Sequence, residues 1–393
     1  MLIRERLARS LLYAISILIP MSYHPFFFNE KGEQVGHIGD IIAVIILFIF
    51  IILSQKLKDI FKSPFIKKYF ALFVIIFIEV SLCALLGLNI SISEIRELAI
   101  PLLILIIGYN CPLNDKAIKT ISYFFIVTML FVGFEQIRIN IGGFVIDDLY
   151  KTSAKNSVGP MLALGGLCSL WYAFSEKKKV TKILLLITTL LFFIEILTIR
   201  ARLATLAYIA VLLYILIIKY KSLSSYGKSK SLIFLIFSLI AICFIFHQQL
   251  NDLKDYIFDS FFQNKESDIL SGRENTYSIA FQHLVSHPIL GNLVTDIKIP
   301  WVHNYLLLKL SNFGYIGGLP FTILYLYIII YTAKKLLKVI SISSSIYGFV
   351  LLCIPLIVSL GEPTFPYGPG TANFLPYLIV GFNLNSFNSV NHR

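Results

Sequence analysis

The sequence predicts an all-α, polytopic integral membrane protein with about 12 transmembrane helices and one large periplasmic loop, forming a single domain over residues 1–393. Three observations predict it. Of 393 residues, 57% are hydrophobic and 14% charged, where an ordinary soluble domain carries about 25% charged. Mean hydropathy is +0.80. The apolar residues arrive in blocks of about 20, the length at which a helix crosses a bilayer. A soluble chain has nowhere to place so much Ile, Leu and Phe away from water. A soluble enzyme, a disordered chain and a disulfide scaffold are thereby excluded.

The blocks fall at residues 10–23, 36–54, 69–88, 96–112, 120–137, 158–175, 183–199, 203–218, 231–247, 305–333, 341–360 and 371–386. Arg4, Arg6 and Arg9 precede the first, as in a signal peptide, but no small-x-small cleavage site follows and Pro20 to His24 end the run. It is therefore an uncleaved first span. Lysine-rich stretches separate the second block from the third and the sixth from the seventh. The sixth opens on Lys155-Asn-Ser-Val-Gly-Pro160, where Asn156 fits a helix N-terminus. The seventh and eighth are joined by Thr198-Ile-Arg-Ala-Arg202 alone. The tenth is long and carries Gly314, Gly317 and Gly318, and Glu362-Pro363 closes the eleventh. The fourth and twelfth are short.

The lysines orient these spans. With the N-terminus cytoplasmic, 22 of the 34 Lys and Arg residues fall on that side, the other side having 12 despite its longest loop. Both termini are cytoplasmic by the positive-inside rule. The net charge of +12 is then a topology label, and no nucleic-acid partner is expected. The five cysteines (Cys83, Cys111, Cys168, Cys243 and Cys353) lie in or beside apolar blocks without C-x-x-C spacing. They read as small core residues rather than disulfide or zinc ligands.

Chemistry concentrates on the outer side, in the loops 138–157 and 248–303. Arg200 and Arg202 break the charge bias there. Snorkelling to headgroups is one explanation, and a phosphate met by guanidinium forks is the sharper one. The long loop holds Ser271-Gly-Arg273, then His287-Pro288 with Gly291 as a helix stop and turn. Val302-His303-Asn304-Tyr305 follows where the chain re-enters the membrane, and an imidazole there can accept a proton or hydrogen-bond a polar substrate. Asp40, Glu135, Gln136 and Glu195 are intramembrane polar residues, each either a buried partner or a pocket residue. Asp147 and Asp148 read as a solvated loop. No Walker sequence, G-x-G-x-x-G, H-E-x-x-H or outer D-x-D motif is present.

The order, spacing and side of these features resemble the O-antigen polymerase and O-antigen ligase superfamily over nearly the whole chain. The resemblance rests on the Asn156 segment, an arginine after Thr198, Ser271-Gly-Arg273, His287-Pro288 with Gly291, and His303-Asn304 before a glycine-bearing span. It departs where family members place a small hydroxyl residue directly before the outer arginine: Arg200 follows Ile199 and Arg202 follows Ala201. The resemblance implies a metal-independent, cofactor-free glycosyltransferase of the bacterial inner membrane, taking an undecaprenyl-diphosphate-linked glycan onto a sugar hydroxyl. Arg200 or Arg202, with Arg273, would clamp the diphosphate, where arginines stabilise the charge of a leaving group best. His303 would be the base, oriented by Asn304. Arg273 would also be catalytic, and Asn156, Asn304, His287 and Glu362 would line the glycan. Partners would be the lipid-linked oligosaccharide, the bilayer, a chain-length regulator and a flippase. A polymerase of repeat units is favoured. A ligase to lipid A-core is the alternative within the class, and a flippase or other transporter the alternative outside it. Carriers, however, are built from repeats with midplane sites, and no two-fold similarity is visible here.

Overall fold

A computed structural model describes residues 2–27, 38–53, 61–88, 93–111, 113–141, 148–199, 201–222, 273–294, 302–338, 344–368 and 371–390. Every regular element among them is helical: α1 (Leu2–Met21), α2 (Ile38–Leu53), α3 (Pro64–Leu85), α4 (Ser93–Asn110), α5 (Asp115–Ile141) and α6 (Asp148–Ser175). Then follow α7 (Lys179–Thr198), α8 (Arg202–Lys221), α9 (Arg273–Ser286), α10 (Tyr305–Leu337), α11 (Tyr347–Val358) and α12 (Phe374–Val390). Among the described residues, six helices (α3, α5, α6, α7, α8 and α10) are long and apolar enough to cross a bilayer; α2, α11 and α12 carry shorter apolar stretches. Six is fewer than the apolar blocks predict. The ninth block, 231–247, and residues 248–272 and 295–301 of the long loop lie outside the described residues.

Helix α6 is the hub, buried nearly all round and packed by α5, α7, α8 and α11. A helix that is apolar on every face belongs in such an interior. By contrast, α3 exposes Ile75, Phe77, Ile78 and Leu82, and α7 exposes Ile183, Leu184, Ile187 and Leu190. Apolar faces of that extent suit lipid rather than water. Small residues let the helices approach: Gly165 lies under the Phe192 ring and Gly166 under Tyr208. A Cβ added at Gly108 or Gly381 would overlap a backbone carbonyl oxygen across the α4–α12 contact. Buried polar groups are tied locally. Tyr208 Oη donates to Thr189 O at 2.9 Å, and Asn383 donates to Ser344 O at 2.7 Å while accepting from Gly348 N at 2.9 Å.

The tenth apolar block departs from expectation. Instead of one straight span, α10 is broken at Gly314 (φ 71°, ψ −172°) into a half-helix, Tyr305 to Phe313, and a long arm, Tyr315 to Leu337. The two arms fold against each other: the Tyr305 and Tyr325 rings are 5.4 Å apart and those of Phe313 and Phe321 4.8 Å. Twenty residues of straight helix would separate the first pair by about 30 Å. The elbow needs glycine because this backbone region is closed to residues bearing a Cβ. Its mate is Gly291, whose added Cβ would stand 2.5 Å from Gly314 N and 2.6 Å from Ser311 O. The same turn caps the long arm, for Tyr315 N–H donates to Pro288 O at 2.6 Å and Ile316 N–H to Ile289 O at 3.4 Å. Those donors would otherwise be orphans of a helix start.

Helix α6 also differs from expectation. It begins at Asp148, so Asn156 lies two turns inside it rather than at its N-terminus. Residues 148–155 contain neither Gly nor Pro and open on an acidic residue, which favours continuing the helix outward.

The elbow predicts a contrast between two positive-φ glycines. Gly87 (φ +69°) has nothing within 4 Å of an added Cβ, so Gly87→Ala should cost only about 1 kcal/mol of backbone strain. At Gly314 the added Cβ meets the Ile289 backbone, and Gly314→Ala should cost roughly 3 kcal/mol or more. Thermal unfolding in detergent should show the larger shift for Gly314→Ala; equal shifts would mean that the elbow does not form.

Candidate functional site

The half-helix is about 13 Å long, and its foot is the segment Val302 to Tyr305. Asn304 is its N-cap: Oδ1 accepts from Leu307 N at 2.9 Å, and Nδ2 donates to Leu360 O at 3.1 Å. Tyr305 N–H donates to Ser359 O at 3.2 Å. The foot is therefore sewn to the turn that follows α11. Both ends of the Asn304 amide are engaged in that work. The His303 carbonyl accepts a 2.8 Å hydrogen bond from Tyr277 Oη of α9.

This stitching sets His303 against Glu362. The imidazole Nδ1 stands 3.9 Å from Glu362 Oε2, with 28% and 10% of the two side chains exposed. An imidazole that gains a proton there faces a carboxylate at once. His287, the other histidine of the sequence pattern, is elsewhere: its ring stacks on His283 at 4.8 Å, in the turn that holds the elbow. The His287-Pro288 and Gly291 pattern thus builds the elbow rather than lining the foot.

Helix rise places the remaining candidates. Tyr347 stacks on Trp171 at 5.0 Å, which gives α6 and α11 a common reference level. Gly159 lies 12 residues before Trp171 and Ser359 12 residues after Tyr347, about 18 Å in either case. Gly159 packs directly on Ala201 and Ala204 at the start of α8. Arg202, the first residue of α8, is thereby held beside the stretch of α6 that carries Asn156 and Gly159. Arg200 lies outside the described residues. Arg273 begins α9, and its side chain lies outside them too.

Sequence reasoning passed over the strongest charge cluster. Lys309, one turn up the half-helix from Tyr305, is 2% exposed and donates to Glu94 and to Glu97 of α4, the latter at 2.9 Å. Its ammonium also stands 5.2 Å from the Tyr305 ring centroid and 5.6 Å from that of Phe321. Tyr367 packs on Tyr305 at 5.3 Å and on Tyr69 at 6.3 Å, closing the foot with aromatic rings. The signal was present: a lysine inside an apolar block needs a buried counter-charge, and two glutamates flank Arg96 at the start of another block. Glu195 sits apart, 1% exposed and pressed over Gly133 of α5.

Among the described residues no group of three or more His, Cys, Asp and Glu side chains is placed to hold a metal ion. No family model matches the chain, and no curated protein matches it.

The ion cluster carries a stability prediction. Lys309→Met strands two carboxylates in the interior and should destabilise by about 3–5 kcal/mol, whereas adding Glu94→Gln and Glu97→Gln should restore most of the loss. Denaturant unfolding of the native chain and the two variants in detergent reads this directly. A Lys309→Met protein as stable as the native chain would show that the cluster bears no load.

Proposed function

We propose that this protein is a membrane-embedded glycosyltransferase that polymerises lipid-linked glycan, moving it from undecaprenyl diphosphate onto a sugar hydroxyl of another lipid-linked repeat unit. The observation that carries the proposal is His303 set beside Glu362 at the foot of a half-helix, recessed within an apolar bundle. In the reaction, the bond between the anomeric carbon and the diphosphate oxygen breaks as the acceptor hydroxyl oxygen attacks. His303 takes the hydroxyl proton, and Glu362 stabilises the resulting imidazolium. The departing diphosphate carries the negative charge, which falls to Arg202 or Arg200 together with Arg273. A recess with few competing waters strengthens each of these interactions.

In this reading the chain sits in a bacterial inner membrane with both termini cytoplasmic, and the half-helix opens to the periplasmic side. A chain-length regulator and a flippase would work beside it. The charge bias of the loops supports the orientation. The resemblance in residue order to O-antigen polymerases and ligases supports the chemistry.

The test is a complementation gel together with a rate assay on purified protein and lipid-linked repeat. His303→Ala should abolish long ladders and lower the rate by about 100-fold or more while the protein still reaches the membrane. Glu362→Gln should lower the rate less. Arg202→Ala and Arg200→Ala, tested separately, identify the arginine in use. Normal ladders from His303→Ala would overturn the assignment. A deletion strain that leaves core with a single repeat supports polymerisation, and bare core with polymer stranded on the carrier lipid points to ligation.

A further inference from the structure

Helix α9 belongs to the loop that the sequence places in water, yet its attachments run in depth. At its beginning Tyr277 donates to the His303 carbonyl at the foot of the half-helix, at 2.8 Å. Just past its end, the carbonyls of Pro288 and Ile289 cap the long arm of α10 at the elbow. Helix α9 therefore rises alongside the half-helix, from foot to elbow. The long arm has 23 residues, about 34 Å, slightly more than the roughly 30 Å of a hydrocarbon core. With Lys334, Lys335 and Lys338 at its far end, the elbow stands at the opposite membrane boundary and the foot about 13 Å within it.

The faces of α9 fit that depth. Ala280, His283 and Leu284 are buried toward the protein. Phe281 (58% exposed) and Val285 (59%) form an i, i+4 stripe on one flank, continued by Ile289 (58%). Through the elbow this stripe runs on into Ile316 (65%) and Leu319 (53%) of the long arm. Asn275, Ser278, Gln282 and Ser286 occupy the other exposed side, with Ile279 (46%) at its edge. A helix standing wholly in water would have no use for a bare Phe, Val and Ile in register with a lipid-facing helix.

We propose that α9 is a re-entrant helix seated in the lipid. Its Phe281–Val285–Ile289 flank lies against acyl chains, its Tyr277 end is deeper than its Ile289 end, and its Gln282 side is hydrated. The seating makes no appeal to glycosyl transfer and stands or falls without it.

Tryptophan placed at Phe281, Ile289 or Gln282 reads the arrangement, in a background where the two native tryptophans are replaced (Trp171→Phe, Trp301→Phe). The protein is reconstituted in phosphatidylcholine vesicles brominated either near the headgroup or near the chain ends, and is separately exposed to iodide. Phe281→Trp should lose at least half its emission to the deep bromines, and Ile289→Trp should lose more to the shallow ones. Gln282→Trp should respond chiefly to iodide. Iodide quenching of all three, with little effect of either lipid, would overturn the proposal. Equal depth at positions 281 and 289 would also overturn it, because the helix would then lie flat. Should the tryptophan-free background fail to fold, the same substitutions in the native chain, read as differences from it, give the same decision.

Discussion

A single ammonium between two carboxylates organises the part of this molecule that matters most. Lys309 is buried inside an apolar stretch, where an unpaired charge would be too costly to keep. Glu94 and Glu97 of α4 supply the counter-charge, and Tyr305 and Phe321 cover the ammonium with ring faces. The gain is positional. A nine-residue helix has little stability of its own, and a bond from its middle to α4 fixes both its depth and its rotation. Removing Lys309 strands two carboxylates, whereas removing either glutamate still leaves an ion pair, so the lysine is the member on which the cluster depends.

With the half-helix fixed, the rest of the foot follows from backbone bonding. Nothing in an apolar interior hydrates the first N–H groups of a helix, so Asn304 and Ser359 satisfy them. The same bonds bring the turn after α11 up to His303 and set Glu362 beside the imidazole. Local satisfaction of backbone groups has thereby produced a pairing of two titratable side chains 59 positions apart.

How much of this the sequence discloses depends on the range of the interaction. The blocks 158–175 and 203–218 lie within α6 and α8, and 183–199 overruns α7 by one residue, because a lipid-crossing helix needs unbroken apolar length and the sequence states that length directly. The break in α10 is only hinted at: residues 305–333 are mostly apolar and carry Gly314, Gly317 and Gly318, and the contact of Gly314 with Gly291 is what distinguishes an elbow from a straight span. His303 and Glu362 each stand out on chemical grounds, but their proximity comes from two chain reversals that no local pattern encodes. Lys309 was legible as an anomaly and was masked by the many lysines that merely mark loops. The Asn156 reading failed because helix α6 outruns the apolar block that advertises it.

The half-helix also has a consequence for how the protein is made. Nine residues are too few to be recognised as a membrane span, so this segment enters the bilayer only as the companion of the long arm behind it. Its foot is bonded to Ser359 and Leu360, which leave the ribosome after the long arm is complete. Until α11 and its following turn arrive, the amide of Asn304 has no carbonyl to meet and His303 has no carboxylate beside it. The pairing therefore forms only after the long arm and α11 are complete, and a nascent chain stopped short of Glu362 carries His303 without its carboxylate.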